Sequence, residues 1–311
     1  MVKSQKTPYP AHVWVALALV YLVWGSTYLG IRIAIQGIPP LLMAGARFVT
    51  AGIFLYAALR LTGTPRPRPV HWRAAAVAGF FLILIGNGGV SWAEEKVPSG
   101  ITALLVGTVP LWMVVLEWAW KKGARPGWKV WTGILLGMAG ILLLVFARPQ
   151  MGGMAVDPFR ALLLVGTSLA WAFGSLYARS ADLPSSALMA TALEMTTGGA
   201  QQLAVGCLLG EHRQLSLPQL TSHSVEAWVY LTFIGALVGF TAYIWVLQKS
   251  DPQLASTYAF VNPVIAVFLG WAFLAEPVTP MIFLAAGLIV IAVVLITFAP
   301  KGAHSKTGGR K

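Results

Sequence analysis

Charged side chains are scarce in this 311-residue chain, where Asp, Glu, Lys and Arg together make up 10% of the residues against 57% hydrophobic residues. A soluble globular domain carries about 25% charged residues, so the composition excludes an ordinary soluble fold. The charge that is present is basic, with a formal net charge of +12. In a soluble protein this would suggest nucleic acid. Here the basic residues lie in short segments between apolar runs, as in membrane proteins, and we expect no nucleic-acid partner.

The numbers and positions of cysteine and histidine argue against disulfide, metal and cofactor sites. The single cysteine, Cys207, excludes an internal disulfide and a multi-cysteine metal site. The five histidines lie near the ends of apolar segments, in loops or in the C-terminal tail. We therefore expect no metal and no cofactor. Lys3 and Lys6 precede an apolar run that exceeds about 20 residues and lacks a small-residue cleavage site, so we interpret this run as an uncleaved first span.

Long apolar runs recur through the whole chain, and about 20 apolar residues suffice to cross a bilayer. They predict an all-α membrane protein with ten transmembrane helices, at residues 12–35, 41–60, 73–93, 98–118, 128–147, 158–178, 187–209, 225–247, 252–274 and 279–299. Most of the Lys and Arg residues outside the spans fall on the side of the N-terminus, which predicts cytoplasmic N and C termini. Residues 1–11 and 300–311 form the predicted cytoplasmic tails.

The two halves of the chain resemble each other. A shift of 147 residues aligns Trp24 with Trp171 and Arg32 with Arg179, and a shift of 153 residues aligns Pro110 with Pro263. These matches predict one repeat at residues 12–148 and a second at 157–299. Because five is an odd number of helices, the second repeat enters the membrane from the opposite side. Many secondary transporters are built from such inverted repeats, with a solute site near the midplane between them.

Two stretches carry a resemblance to a known family. The segment "AYIWVLQKSDPQLASTYAFVNPVIAVFLGWAFLAEPVT" resembles the C-terminal hallmark of EamA domains in the drug/metabolite transporter superfamily, and "PPLLMAGARFVTAG" resembles the second helix of that family. The chain departs from the family pattern at Ala275-Glu276, where Gly-Glu is usual. The resemblance covers nearly the whole chain and comprises two EamA units. It implies ten helices and the export of small solutes across the bacterial inner membrane, with amino acids or related metabolites as leading substrates and drugs as an alternative.

Aromatic and polar side chains near the middle of the predicted spans are candidates for lining a solute cavity. Trp24 and Tyr28 share one stripe of the first helix, and Trp171 and Ser175 share the equivalent stripe of the sixth. Aromatic faces stack on apolar or cationic groups, while hydroxyl groups orient the solute. The alternatives are an interfacial aromatic belt for the tryptophans and hydrogen bonds between helices for the polar residues. The predicted cavity residues are Trp24, Tyr28, Asn87, Trp92, Trp171, Ser175, Tyr243, Tyr258 and Asn262.

Glycine and proline disturb three of the predicted helices. The sequence "GNGGVSW" in the third helix brings three glycines together, which weakens the helix and frees backbone carbonyl groups. At membrane depth such groups must be buried in protein or line a cavity. Pro110 and Pro263 each remove a helical hydrogen bond and kink the fourth and ninth helices. We interpret the two kinks as hinges beside the cavity.

Three charged residues, Arg32, Arg47 and Glu194, lie inside predicted spans, where charges usually face the interior and serve a function. Glu194 is the candidate for a proton-coupling carboxylate, and a structural role is its alternative. Arg47 follows the Pro39-Pro40 turn by seven residues, so it lies about 10 Å below the outer surface. Glu194 lies at a similar depth from the other surface, and we expect no ion pair between them. We interpret Arg47 as a bundle-interior residue that anchors the outer half or extends its side chain to the rim, with direct solute contact as the alternative.

These features favour a transporter over a membrane-embedded enzyme. An enzyme would need a concentrated acid/base or metal cluster, yet the only adjacent acidic pair, Glu94-Glu95, has no histidine or second cluster beside it in the sequence. The predicted partners are a small-molecule substrate and the lipid bilayer. The small-residue surface of Gly133 and Gly137 favours packing within the chain over dimerisation, so we expect a monomer or a weak homodimer. The direction and energy source of transport stay open.

Overall fold

The computed structural model describes residues 9–120, 127–146, 157–250, 254 and 257–297, and these residues form helices joined by short connections, without a β-strand among them. Most of the two predicted tails lies outside the described residues. We number the long helices in chain order: α1 Ala11–Ala34, α2 Pro40–Leu61, α3 Pro69–Ala93, α4 Ser99–Val106 with Val109–Trp120, α5 Trp128–Phe146, α6 Pro158–Ala178, α7 Ala187–Leu208, α8 Ser222–Tyr230 with Leu231–Val238 and Gly239–Lys249, α9 Tyr258–Leu274, and α10 Pro280–Thr297.

Six of these helices are long and apolar enough to cross a membrane: α1, α2, α3, α4, α6 and α8. Helices α5, α9 and α10 supply shorter apolar stretches, at Trp128–Leu143, Tyr258–Leu274 and Pro280–Ile296. Helix α7 is long, but it carries Glu194, Gln201 and Gln202 and is not among the six. The chain therefore crosses the membrane several times.

Proline and short polar side chains determine where the helices begin. Proline occupies the first turn of α2, α3 and α6, where its missing N–H would have had no helical partner. Asp157 caps α6 by accepting hydrogen bonds from the backbone N–H groups of Phe159 and Arg160. Ser186 caps α7 in the same way through Met189. These local signals explain why the observed helix starts lie close to the predicted ones.

Helices α3 and α8 each contain a π-helical segment, at Phe80–Gly88 and Leu231–Val238. The glycine cluster of "GNGGVSW" does not break α3, because the helix continues from the π segment into Gly89–Ala93. One backbone carbonyl of this segment is used by a neighbour, since Gln202 Nε2 donates to the oxygen of Ile83 at 2.9 Å. A Cβ on Gly86 would lie 2.9 Å from the Trp171 ring. The glycine thus lets α6 approach α3 closely.

Helix α2 packs along α7 through glycines that bring the two backbones together. A Cβ on Gly45 would lie 2.8 Å from the backbone nitrogen of Leu203, and one on Gly199 would lie 2.8 Å from that of Val49. Such distances are closer than Cβ atoms normally approach, so only glycine fits without a shift. Small residues at a helix crossing are the usual basis of tight packing in membranes.

Helices α5 and α10 form a second close pair. A Cβ on Gly133 would lie 2.9 Å from the carbonyl oxygen of Ala292, and one on Gly137 would lie 3.3 Å from the Ala292 Cβ. The small-residue surface of α5 therefore contacts α10 of the same chain. Elsewhere in the described residues, α1 packs against α8 and α9, and α6 packs against α3 and α4.

The two predicted kinks lie against each other. Helix α4 is interrupted at Gly107 and Thr108, and Pro110 follows in the first turn of its second part, where the missing N–H costs little. Pro263 lies inside α9. A Cβ on Gly107 would lie 3.0 Å from Pro263 Cγ and 3.0 Å from the carbonyl oxygen of Ala259. The break in α4 thus packs on the proline of α9, while the hinge function of both stays a prediction.

We predict that Gly199→Ala lowers the free energy of unfolding by about 1–3 kcal/mol, the usual cost of inserting a methyl group into a packed contact. The matched control is Gly166→Ala, because a Cβ at the exposed Gly166 of α6 meets nothing within 4 Å. Thermal unfolding of the purified protein in detergent measures both. Equal melting temperatures for the two variants would contradict the close α2–α7 contact.

Candidate solute-binding cavity

A cavity of about 120 Å³ lies in the interior of the helix bundle. Its wall is built by α1, α2, α3, α4, α6, α8 and α9, so both halves of the chain contribute. Aromatic and aliphatic side chains dominate the wall, and a few polar groups interrupt it. The polar and aromatic residues of the wall are Trp24, Thr27, Tyr28, Arg47, Phe48, Asn87, Thr167, Ser168, Trp171, Phe240, Tyr258 and Asn262.

The structure brings together most of the residues that the sequence nominated. The predicted cavity residues that line the wall are Trp24, Tyr28, Asn87, Trp171, Tyr258 and Asn262. Pro263 also lines it, whereas Pro110 does not. Lining the cavity gives these side chains access to a solute. Their role in binding one remains a prediction.

Tyr243, Trp92 and Ser175 were predicted for the cavity but do not belong to its wall. Tyr243 lies behind the wall, with its ring centroid 4.9 Å from that of Trp24. The Trp92 ring lies under the guanidinium of Arg160, 3.9 Å from its Cζ, near the end of α3. Ser175 is half-buried one turn beyond Trp171 on α6, so it shares the stripe but not the depth.

The two tryptophans of the wall are half-buried and pack against neighbouring helices. Trp24 packs edge-on against the rings of Phe240 and Tyr258, with both centroid separations at 5.1 Å. Such edge-to-face pairs are a favourable arrangement of aromatic rings. Trp171 lies against the backbone of α3 at Gly86. An aromatic surface from each half of the chain therefore faces the cavity.

Arg47 is buried, with 4% of its surface exposed, and it lines the cavity. Its Nη2 donates a hydrogen bond to Asn87 Oδ1, and its Cζ lies 4.4 Å from the centre of the Phe48 ring. Its Nε has no hydrogen-bond partner among the described residues. Arg47 therefore does not extend to the rim. As expected, it forms no ion pair with Glu194 in the described part of the chain.

The other two predicted charges lie elsewhere. Arg32 is in the last turn of α1 and donates a hydrogen bond to the backbone carbonyl oxygen of Glu94. Glu194 is half-buried on α7 and is not part of the cavity wall. Its role in proton coupling is not tested by this geometry and stays a prediction.

Glu94, the residue that follows α3, was not singled out from the sequence but is fully buried. Neither carboxylate oxygen has a hydrogen-bond partner among the described residues. Burial raises the pKa of Glu94 well above its usual range, the charge of Glu276 adds to the rise, and Arg32 and Arg47 oppose it. Burial therefore favours the neutral form of Glu94 more than it would for a solvated carboxylic acid.

Two glutamates of the second half cap helices of the first half. Glu211, in the short helix after α7, accepts hydrogen bonds from the backbone N–H groups of Leu41 and Leu42 at 3.0 and 2.9 Å. Glu276, after α9, accepts them from Ser99 and Gly100 at 2.8 and 3.1 Å. Carboxylates satisfy the free N–H groups and the positive dipole at a helix start.

An ion pair adds a third contact at the same end of the bundle, between Arg160 Nη1 of α6 and Glu95 Oε2 after α3, at 2.7 Å. Together with the two capping glutamates, it connects the halves at the ends of α3, α7 and α9. The sequence predicted no role for Glu95, Glu211 or Glu276 in joining the halves. Their partners lie 65 to 177 positions away along the chain, so no local pattern reveals them.

Comparison with known proteins gives concordant similarities. The family model described as "EamA-like transporter family" matches residues 12–146 and again 159–298. The inner membrane transporter YedA of Escherichia coli K12 is 39% identical over 283 residues, covering 91% of this chain and 89% of that protein. The Bacillus subtilis transporter YvbV is 25% identical and covers 88% and 87%. One crystal structure superposes with a TM-score of 0.60 at 21% identity, over 92% of this chain, and supports the fold.

We predict that Glu94→Gln makes the protein less sensitive to alkaline pH. Because the native pKa of Glu94 is raised, its contribution to stability is full below the unfolded pKa of about 4.3 and is lost as pH rises through the native pKa. The variant lacks this loss. Melting temperatures measured from pH 5 to pH 9 should therefore fall less in Glu94→Gln than in the natural sequence.

The control for this series is Glu226→Gln, at a side chain that is 72% exposed and lies in the first turns of α8. It should reproduce the pH profile of the natural sequence. A Glu94→Gln profile that runs parallel to both would show that Glu94 is solvated and ionised in the folded protein.

Proposed function

Since the chain belongs to the EamA-like transporter family and is a multi-pass inner-membrane protein, we propose that it exports small organic solutes by alternating access at the central cavity. Amino acids or related metabolites are the proposed substrates. The cavity carries this proposal, because it is enclosed by helices from both halves and combines an apolar aromatic wall with a few convergent polar groups. Ligand-binding pockets generally have this composition.

We further propose ten transmembrane helices in two inverted five-helix repeats, with both termini in the cytoplasm. The family model matches the chain twice, and the π segments of α3 and α8 occupy corresponding positions in the two matches. A twofold axis in the membrane plane would pair α2 with α7 and α5 with α10. It would also relate the packing of α1 on α8 and α9 to that of α6 on α3 and α4. The observed contacts agree with each of these pairings.

The size of the cavity favours metabolites over drugs. Pockets for drug-sized ligands have volumes of about 300–1,000 Å³, whereas this cavity has about 120 Å³. A solute of amino-acid size suits it better than a polycyclic drug does. Export of drugs by the same fold is the alternative, and it would require a wider cavity during the transport cycle.

Alternating access requires contacts that open and close at the two ends of the cavity. At one end, the capping glutamates and the Arg160–Glu95 ion pair connect the halves. At the other, the hydroxyl groups of Tyr21 and Thr257 share a hydrogen bond between α1 and the start of α9. We propose that these two sets of contacts break in alternation, with the contact of Gly107 on Pro263 as the pivot between them.

The proposal predicts counterflow of a labelled amino acid into proteoliposomes preloaded with the same unlabelled solute. Trp171→Ala should reduce the rate about tenfold, because it removes one aromatic face of the cavity, and a loss of about 1.4 kcal/mol in solute binding is a factor of ten. Trp128→Ala is the control, since Trp128 is 73% exposed at the start of α5. A screen of labelled amino acids without counterflow for any of them would reject amino-acid transport.

The hinge hypothesis predicts a slower cycle in the double variant Pro110→Ala, Pro263→Ala. Alanine removes the proline ring at both positions and restores a helical hydrogen bond within α9, which should stiffen the pivot. Counterflow should slow several-fold, while the equilibrium affinity for the solute changes little. The control is Pro218→Ala, in the exposed 3-10 turn Leu217–Gln219. Full transport activity in the double variant would contradict the hinge function.

A further inference from the structure

Two buried polar groups of the cavity wall lack partners. Arg47 and Asn262 are 4% and 5% exposed, and both line the cavity. Among the described residues, Arg47 Nε has no hydrogen-bond acceptor and Asn262 Oδ1 has no donor. Buried polar side-chain atoms are nearly always paired in native proteins, so each exception calls for an explanation. One of these groups is a cationic donor and the other a neutral acceptor.

The packing around Arg47 does not neutralise its charge. Its side-chain hydrogen bond is to the neutral amide of Asn87, and its guanidinium lies over the Phe48 ring. No carboxylate lies within ion-pair distance of Arg47 in the described part of the chain. The acid whose charge acts on Arg47 is Glu94, which is fully buried and is not part of the cavity wall. A cation held in such surroundings is costly unless an anion joins it.

The chemistry of the two groups specifies what could join them. A guanidinium is planar and binds a carboxylate through parallel hydrogen bonds. An amide oxygen accepts a hydrogen bond from an ammonium or hydroxyl group. The same cavity wall includes Trp24 and Trp171, whose aromatic faces suit an apolar body. A solute whose only charge is positive would be repelled by Arg47.

We propose that Arg47 and Asn262 are the two polar poles of the solute site, with Arg47 binding a carboxylate and Asn262 binding a donor group on the same solute. This inference rests on the proposed transport function and adds charge selectivity to it. The cavity admits organic carboxylates and rejects simple organic cations. Asn87 holds the guanidinium in position through the bond that it accepts from Nη2.

Three probes with one branched apolar body test the two poles separately. L-Leucine has a carboxylate and an ammonium group, 4-methylpentanoate has the carboxylate alone, and 3-methylbutylamine has the ammonium group alone. Counterflow of labelled L-leucine into proteoliposomes with the full chain is measured while each unlabelled probe competes. We expect competition in the order L-leucine, then 4-methylpentanoate, with 3-methylbutylamine at least about tenfold weaker, since one charged hydrogen bond accounts for about 1.5–3 kcal/mol.

Variants at the two poles should separate the probes further. Arg47→Gln should weaken both carboxylates by about tenfold or more, and Arg47→Lys should restore part of the loss, because it keeps the charge without the planar fork. Asn262→Ala should weaken L-leucine more than 4-methylpentanoate, because only the former has the ammonium group. Elution and melting temperature of each purified variant check folding. If Arg47→Gln does not fold, Arg47→Lys and Asn262→Ala still decide the question.

The outcomes distinguish the inference from the proposed function. Counterflow of L-leucine that 3-methylbutylamine inhibits as well as 4-methylpentanoate does would overturn the charge selectivity and leave the transport function standing. The same holds if Arg47→Lys and Asn262→Ala, both folded, keep the affinities of the natural sequence. Absence of counterflow for labelled forms of all three probes would overturn the inference, whereas amino-acid transport is rejected only if the wider screen of labelled amino acids also shows no counterflow.

Discussion

Arg47 carries a fixed positive charge into the interior of the protein, where only 4% of its surface is exposed, and the centre of the bundle is arranged around that charge. Asn87, at the end of the π segment of α3, accepts a hydrogen bond from the guanidinium, while the Phe48 ring covers its face. A bilayer provides no alternative partners, so every polar group brought this deep must be satisfied within the protein or by a solute. The Nε of Arg47, which has no partner among the described residues, borders the cavity, where a solute could supply one.

Close backbone approach is the second requirement, because a bundle in lipid gains little from apolar contact between helices and depends on tight packing instead. Gly45 and Gly199 let α2 and α7 touch, and Gly86 admits the Trp171 ring to the wall of the cavity. The glutamates after α7 and α9 then secure the helix starts of the first half. Glycine contacts along the helices and charged contacts at their ends thus have different structural roles. The glycine contacts hold helix pairs together, and the charged contacts are the ones that the proposed conformational change would break.

The sequence predicted those features of the structure that depend on local patterns of residues. Apolar runs bounded by proline predict the helices, and mid-span aromatic residues on inward stripes predict Trp24, Tyr28 and Trp171 in the cavity wall. A stripe fixes the direction of a side chain but not which turn reaches the cavity, so Ser175 falls outside it. The burial of Glu94 depends on helices that are remote in sequence, so the residues next to it do not predict that burial. The capping role of Glu211 and Glu276 could not be predicted for the same reason.

The two halves of the chain contribute differently to the polar part of the cavity wall. By the sequence shift, Arg47 of α2 corresponds to Glu194 of α7, yet only Arg47 belongs to the cavity wall. The two halves contribute similar aromatic surfaces through Trp24 and Trp171, but one cation dominates the polar side. If the halves exchange positions about the cavity during transport, the solute meets the same guanidinium whichever end is open. On the proposed mechanism, the two halves would alternate between two nearly equivalent arrangements, while the single charge of Arg47 would keep the selectivity of the site the same in both.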